Sequence, residues 1–291
     1  MKYKIFFILL FSLFALSQSG NIIRFCDAPA LSIAFYRLFL AFLLMLPFSF
    51  RRIISLWQNI HKKNAWRIFF MGFIFALHLI TWIKGVQQTK VANAAMCFCI
   101  NPVFISLGAY FFLKESIHRN VVIALFWGMA GIFLIGYEDF NTSLDLLWGD
   151  LLALLCGLLF VGYFLLGKKL RDTTDSLALM SMVYFFSAMT CLVFAFFEKT
   201  PLLAFSTKTW IGFFGMAIVP TILGHFLFMY VTKFFKAGAT SASTLLEPIF
   251  AGIVAYIAFD EKITFLGIIG YFLIFICMIF LFFSHPQDGK K

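Results

Sequence analysis

Ten long apolar runs, separated by short polar breaks, constrain this chain more than any other feature of its sequence. They cover residues 3–20, 29–50, 65–84, 91–113, 120–137, 147–167, 177–197, 209–232, 238–259 and 263–284. Each run is close to the length that a helix needs to cross about 30 Å of hydrocarbon. Because lipid offers no partner to unpaired backbone groups, such segments are helices rather than open strands. The sequence therefore predicts an all-α integral membrane protein of ten transmembrane helices.

The composition excludes a soluble protein. Hydrophobic residues make up 63% of the 291 positions and charged residues only 12%, whereas soluble domains carry about 25% charged residues. The net charge of +10 does not indicate nucleic acid, because an excess of Lys and Arg is expected on one side of a membrane protein. We expect membrane lipids as partners and no nucleic acid.

Lysine and arginine are unevenly distributed between the two sides of the predicted helices. With the N-terminus inside, sixteen lie in inside segments and six in outside segments, and Arg37 lies within the second run. Basic residues concentrate on the cytoplasmic side, so both termini are predicted to be cytoplasmic. The 43 phenylalanines suggest an AT-rich bacterial genome. The expected location is therefore a bacterial inner membrane.

Two segments between or before the runs allow a choice of interpretation. The break Arg51–Asn64 mixes basic and apolar residues, which predicts an interfacial amphipathic segment. Residues 1–21 combine a basic start, an apolar core and the small residues Ser17 and Ser19, as a cleavable signal peptide does. The repeat described next requires a retained helix here, and we expect it to be kept.

The chain contains an internal repeat. Shifted by 146 residues, Lys90–Ile117 aligns with Lys236–Ile263 without a gap, and seven of 28 positions are identical. This composition gives roughly two or three matches by chance. A repeat of five helices reverses its orientation, and inverted repeats of transporters bind their substrate near the midplane between the halves. We predict two inverted five-helix repeats, over residues 3–137 and 147–284.

Several motifs of the two halves carry a family resemblance. The first half contains "AFYR" at Ala34–Arg37, then "NPVF", "FFLKESI" and "GMAGIFLIGY", and the second contains "LLEPIFAGIVAYIAFDEKIT". Together they resemble the EamA-type module of the drug/metabolite transporter superfamily over nearly the whole chain. The resemblance implies ten helices, inverted halves and transport of a small metabolite. In one departure, the first half has Asn101 where the second has Glu247.

Ionisable residues inside the apolar runs are the first candidates for a site, because charges in a membrane interior usually face a cavity. Glu247, beside Pro248, is a candidate to bind a cationic group or to take a proton. The alternative is a protonated structural acid. Arg37 stays charged in proteins and is a candidate to bind a carboxylate or phosphate. Its alternatives are snorkelling to the surface and an ion pair between helices.

Polar and aromatic residues at repeat-related positions complete the candidate set. His78 and His225 occupy nearly equivalent places, and imidazole exchanges protons near neutral pH. Asn101 is a candidate to supply an amide, although small polar residues also join membrane helices by hydrogen bonds. Trp82 and Tyr184 are candidates for an aromatic wall, although aromatic residues make up 20% of the chain and chance explains most such positions. The predicted substrate-binding residues are Arg37, His78, Trp82, Asn101, Tyr184, His225 and Glu247.

The sequence contains few signals for cofactors or metals. It has no phosphate-cradling glycine loop, which argues against ATP hydrolysis. Cys97 and Cys99 would point about 200° apart on a helix and could not hold one metal. We expect no cofactor and no metal. Glu115 and Glu261 end their runs, and we expect them to act structurally, as latches for a loop or gate.

The predicted function is secondary active transport of a small metabolite, such as an amino acid or a nucleotide-type compound. We expect alternating access, driven by protons or by exchange, and no enzymatic activity. Two alternatives stay open: a channel or scramblase-like component, and an integral-membrane enzyme. The cargo, the direction of transport and the oligomeric state do not follow from the sequence.

Overall fold

The computed structural model describes residues 2–88, 101–137, 144–171, 173–259 and 265–283, together with the single positions Ala94 and Phe98. All regular secondary structure in these residues is helical. Seven helices are long and apolar enough to span a membrane, and three shorter apolar helices accompany them. The prediction of an all-α, multi-pass membrane protein is confirmed.

The helices follow the apolar runs. In the first half they are α1 (Lys2–Ser17), α2 (Ser19–Ile23), α3 (Ala30–Asn59), α4 (Lys62–Gln88), α5 (Asn101–Gly108) and α6 (Arg119–Tyr137). In the second half they are α7 (Leu144–Arg171), α8 (Ser176–Phe197), α9 (Thr207–Met216), α10 (Leu227–Val231), α11 (Ala237–Ala242), α12 (Glu247–Phe259) and α13 (Phe265–Phe283). Two π-helical segments, Ala109–Leu113 after α5 and Ala217–Phe226 between α9 and α10, and one 3-10 turn, Ser243–Leu246 before α12, join them.

Polar side chains and a left-handed residue set several helix ends. The Asp175 carboxylate accepts hydrogen bonds from two backbone N–H groups in the first turn of α8. The Ser206 hydroxyl accepts one from Thr209 at the start of α9. Such caps satisfy N–H groups that have no partner inside the helix. Lys114, at φ 58°, ends the π-helical segment after α5 in the left-handed conformation common at helix ends.

The predicted interfacial segment Arg51–Asn64 is not a separate element. Helix α3 continues to Asn59 and α4 begins at Lys62, because no glycine or proline interrupts residues 48–59. The segment is amphipathic as expected. Ile53 packs against the core, whereas the basic residues of the segment are exposed. The positive charges are thus carried on extensions of two long helices.

The most extensive packing between helices joins the two halves of the chain. Helix α6 packs along α13, α4 along α7, and α3 along α8. The first of these pairs is close enough for backbone contact: a methyl group at Gly131 would lie 2.6 Å from the carbonyl oxygen of Gly270. Small residues at such crossings let membrane helices approach closely. The packing surface therefore runs between the halves, with polar side chains at its centre.

Candidate functional site

The Arg37 side chain on α3 is almost completely buried, with 1% of its surface exposed. Its Nε donates a hydrogen bond to Thr221 Oγ1 at 2.7 Å, and its Nη1 donates one to Ser19 Oγ at 3.2 Å. Its Nη2 has no partner, and no carboxylate pairs with it among the residues that the structure describes. Because a guanidinium group stays charged, this is a permanent interior charge with neutral partners only. Burial to this degree differs from snorkelling to the surface, and the predicted ion pair is not formed with any carboxylate that the structure describes.

Two aromatic residues of the predicted set extend the Arg37 network. Trp82 Nε1 donates to the same Ser19 hydroxyl at 3.3 Å. The Tyr184 hydroxyl donates to the backbone carbonyl of Thr221 at 3.0 Å. Thr221 lies in the π-helical segment, directly after Pro220, whose missing N–H interrupts the regular helical hydrogen bonding. The irregular segment therefore places the Thr221 hydroxyl beside Arg37 and the Thr221 carbonyl beside Tyr184.

The two predicted histidines lie next to each other. The ring centroids of His78 and His225 are 6.0 Å apart, and Phe75 contacts both rings. His78 Nδ1 lies 3.1 Å from the backbone oxygen of Cys156 and 3.1 Å from its sulfur. His225 Nδ1 is buried and has no hydrogen-bond partner in the described part of the chain. One imidazole is thus held in place by α7, and the other presents an unused nitrogen to the interior.

Asn101 and Glu247, the repeat-related pair, have no polar partner among the residues that the structure describes. Asn101 is fully buried, and neither atom of its side-chain amide makes a hydrogen bond to a described residue. Glu247 follows the 3-10 turn and opens α12; it is partly exposed, whereas the four residues of the turn are buried. Within the described ranges, its carboxyl group has no hydrogen bond or ion pair. Both residues therefore have unused hydrogen-bonding capacity inside the protein.

Cys156, on α7, contacts His78 directly. Gly157, the next residue, has Asn101 beside it, because a methyl group added there would lie 3.7 Å from Asn101 Cβ. Glu247 begins α12, which contacts α2, the helix that carries Ser19. The structure therefore gathers the predicted residues into one interior group, which we call the central cluster: Ser19, Arg37, His78, Trp82, Asn101, Cys156, Tyr184, Thr221, His225 and Glu247.

Three members of the central cluster were not predicted from the sequence. In the sequence, Cys156 is a small residue within an apolar run, and Ser19 belongs to the possible cleavage site. Thr221 carried one usable signal, its position directly after Pro220 in an apolar run. Short hydroxyl and thiol side chains are common between membrane helices, so their sequence context alone does not separate a site from ordinary packing.

A polar latch closes one end of the molecule. Glu115 Oε2 accepts a hydrogen bond from the Ala237 N–H at 2.7 Å, and Oε1 pairs with Lys168 Nζ at 3.1 Å. The same ammonium group donates to the carbonyl oxygens of Phe235 at 2.6 Å and Thr232 at 3.3 Å. We call this group the Glu115 latch. It makes the kind of contact predicted for Glu115; Glu261 lies outside the described residues.

The opposite end is tied by hydrogen bonds between α3 and the segment after α8. Ser32 Oγ donates to the Pro201 carbonyl at 2.6 Å, and the Tyr36 hydroxyl donates to the Leu202 carbonyl at 2.5 Å. The Tyr36 ring also stacks on Phe213, with centroids 4.8 Å apart. The central cluster therefore lies between two ends that are each held by side-chain to backbone contacts.

Comparison with known proteins assigns the chain to a family. The model of the EamA-like transporter family matches residues 3–137 and 147–283. The chain belongs to this family. An uncharacterized transporter of Archaeoglobus fulgidus is 26% identical to this EamA protein over 248 residues, covering 85% of each chain. Another, from Clostridium kluyveri, is 26% identical over 71% of this chain and 69% of the relative.

The fold of this EamA protein also matches a solved crystal structure. The two share a TM-score of 0.79 over 99% of each chain, at 13% sequence identity, which is a likeness of fold alone. The family and its named relatives support a membrane transporter role. The resemblance inferred from the sequence motifs is confirmed.

Proposed function

We propose that the protein is a secondary active carrier that moves a small metabolite across the bacterial inner membrane by alternating access. The central cluster is the observation that carries this proposal. It gathers charged and polar side chains in the interior of a chain that is otherwise strongly apolar. Groups of this kind are expensive in a membrane interior and usually mark a path for a substrate or an ion.

The pairing of helices supports ten transmembrane helices in two inverted repeats, over residues 3–137 and 147–284. The pairs α6 with α13 and α3 with α8 join helices that the shift of 146 residues makes equivalent. The pair α4 with α7 has its equivalent in α1 with the π-helical segment 217–226, and this pair is also in contact. A contact pattern that repeats when the halves are exchanged is expected of a two-fold arrangement. Carriers of this kind bind their substrate between the repeats.

The residues of the central cluster would have distinct roles. Arg37 and Glu247 would bind charged groups of the cargo, Trp82 and Tyr184 would form an aromatic wall, and Asn101 would hydrogen-bond the cargo. His78 and His225 would carry protons if transport is proton-coupled, since an imidazole ring can take up and release a proton. Transport driven by exchange would need no proton carrier.

The Glu115 latch would serve as a gate on the cytoplasmic side. The excess of Lys and Arg predicts that both termini and the loop after α5 face the cytoplasm. Opening toward the cytoplasm would then require the contacts of Glu115 with Lys168 and Ala237 to break. The hydrogen bonds of Ser32 and Tyr36 would break when the opposite side opens.

Reconstitution in liposomes tests the proposal. Vesicles would be offered a pool of amino acids, nucleosides and polyamines, with and without an inward proton gradient, and their lumen analysed by mass spectrometry. We expect saturable uptake and counterflow of at least one compound, and loss or proton-uncoupling of transport in Glu247→Gln. Glu198→Gln is the matched control, because Glu198 is an exposed acid outside the central cluster.

The outcomes separate the classes of function. Flux that does not saturate and shows no counterflow would indicate a channel or scramblase and would refute the carrier. Chemical conversion of a compound without its movement would indicate an enzyme. Normal transport by Glu247→Gln would keep the carrier and remove Glu247 from its mechanism.

A further inference from the structure

We propose that a surface cavity beside the Glu115 latch binds the headgroup of an anionic phospholipid, whose phosphate is held by Lys114, Ser116 and Lys236. The bound lipid joins the same two elements that the latch joins, and it therefore stabilises the closed state. The site shares no residue with the central cluster. Its test measures lipid binding and latch opening rather than transport, so failure of the carrier proposal would leave it intact.

The cavity lies where the apolar run 91–113 ends. It has a volume of about 460 Å³ and is lined by Tyr110, Phe111, Lys114, Glu115 and Ser116. Clefts that bind small ligands measure about 300–1,000 Å³, so the space is sufficient for a phosphate ester with its glycerol. The side chains of Tyr110 and Phe111 are 51% and 62% exposed. Aromatic residues at the end of a membrane-spanning run lie at the level of the lipid headgroups.

Two ammonium groups and one hydroxyl meet at this cavity. Lys236 Nζ donates a hydrogen bond to Ser116 Oγ at 3.2 Å, which places that ammonium group next to the cavity wall. Lys114 lines the cavity itself, is exposed, and has no hydrogen bond or ion pair from its side chain within the described ranges. Because an ammonium group has three donors and no acceptor, both lysines keep donors for a phosphate.

The backbone of Lys114 is a second reason to assign a function to its side chain. Lys114 ends the π-helical segment at φ 58°, in the left-handed region that glycine, asparagine and aspartate adopt more readily. The equivalent position of the second half, 146 residues further on, is Asp260, which lies outside the described residues. A lysine is not what this turn favours, and backbone strain of this kind clusters at functional sites.

The acid that lines the cavity does not exclude an anion. Glu115 Oε1 pairs with Lys168 at 3.1 Å, and Oε2 accepts the hydrogen bond from the Ala237 N–H at 2.7 Å, so its charge is compensated within the latch. Arg119 and Lys233, close in sequence to the two elements, are exposed and add positive charge. An anionic phospholipid matches this positive surface through its phosphate and the exposed aromatic wall through its acyl chains.

A headgroup bound in this cavity connects the two halves of the chain. Lys114 and Ser116 belong to the loop between the π-helical segment and α6, whereas Lys236 directly precedes α11. These are the elements that the hydrogen bond between Glu115 and Ala237 already joins. A ligand that binds only the closed arrangement stabilises it by mass action, so the lipid slows the opening of the latch.

Native mass spectrometry of the detergent-solubilised protein measures the binding of phosphatidylglycerol and of phosphatidylcholine, whose choline compensates the phosphate charge. We expect phosphatidylglycerol to bind more tightly. Its affinity should fall roughly fivefold in Lys114→Gln and by a similar factor in Lys236→Gln, since each basic residue near an anionic lipid contributes about that factor. Arg51→Gln is the matched control, because Arg51 is an exposed basic residue that does not line this cavity.

Hydrogen–deuterium exchange of residues 232–242 measures the effect of the lipid on the latch. The protein would be placed in phosphatidylcholine nanodiscs with and without phosphatidylglycerol, and the ratio of the two exchange rates compared between variants. The comparison cancels the change in surface pH that anionic lipid causes. We expect phosphatidylglycerol to slow exchange roughly fivefold more in the unmodified protein than in Lys114→Gln, as a ligand at about four times its dissociation constant does. Arg51→Gln should behave as the unmodified protein.

Both lysines are at least partly exposed, and melting temperatures in detergent would show that the variants are folded. Equal affinity for the two lipids, or an equal loss of affinity in Arg51→Gln, would overturn the site. Protection that persists in both lysine variants would indicate an effect of the whole membrane surface and would overturn it as well. Equal protection by soluble glycerol phosphate in phosphatidylcholine nanodiscs would assign the cavity to a soluble phosphate ester and refute the lipid.

Discussion

Replacing Glu115 by glutamine removes the negative charge of the Glu115 latch without changing the size of the side chain. The new amide oxygen can still accept the hydrogen bond from the Ala237 N–H. The substitution abolishes the ion pair with Lys168, which measures 3.1 Å between side chains that are only 21% and 11% exposed. The substitution therefore isolates how much the charge of Glu115 stabilises the closed state of the Glu115 latch.

The structure allows an order of magnitude for this contribution. Two unit charges 3.1 Å apart attract by roughly 5 kcal/mol at an effective dielectric constant of about 20. Desolvation offsets much of that, and hydrogen bonds to charged groups contribute a net of about 1.5–3 kcal/mol. Because Lys168 keeps two carbonyl partners, we expect the closed state to be destabilised by about 1–2 kcal/mol. That change shifts the opening equilibrium by roughly 5–30-fold.

Hydrogen–deuterium exchange of residues 232–242 measures this opening in protein embedded in lipid nanodiscs. We expect exchange in Glu115→Gln to be faster by roughly 5–30-fold. The control is Asp175→Asn, which neutralises an ion pair with Arg52 whose side chains are 57% and 44% exposed. Exposed pairs contribute about 0–1 kcal/mol, and asparagine still caps α8. Unchanged exchange in Glu115→Gln, or a change no larger than in the control, would refute the latch.

Two further predictions concern packing, measured as the melting temperature in detergent. Gly131→Ala should destabilise the protein by about 1–3 kcal/mol, because its methyl group would meet the Gly270 carbonyl oxygen at 2.6 Å; Gly215→Ala is the control, with its nearest atom at 3.4 Å. Phe75→Ala should lower the free energy of unfolding by about 3–5 kcal/mol, since Phe75 is fully buried. Phe272→Ala is the control and should lower it much less, because the Phe272 side chain is 62% exposed. Equal melting temperatures within either pair would contradict the packing described above.

The sequence predicted the class of fold because lipid leaves the backbone little choice. A run of about 20 apolar residues must satisfy its own hydrogen bonds, so length and hydropathy are sufficient to predict a helix. Local breaks are less predictable. The helices on either side of Ile60 extend into the polar segment Arg51–Asn64, so polarity alone does not mark where a helix ends.

The sequence predicted those site residues that are charged or that recur at related positions of the repeat. Arg37 and Glu247 stood out because a charge within an apolar run is expensive, and the histidines stood out through the repeat. Cys156 and Thr221 did not, since their side chains are compatible with ordinary packing. Their importance depends on neighbours that are distant in sequence, such as His78 for Cys156.

The sequence by itself determined that the chain is a helical membrane protein with a family resemblance to EamA-type transporters, because apolar periodicity and motifs are local properties. The tertiary structure alone decided which polar groups find partners. Within the described ranges it leaves Arg37 Nη2, the Asn101 amide and His225 Nδ1 without hydrogen bonds, and it joins Glu115 to Lys168 at one end. Hydrogen bonding between helices depends on distances of about 3 Å across the packed interior, and these distances are fixed only when the helices pack together.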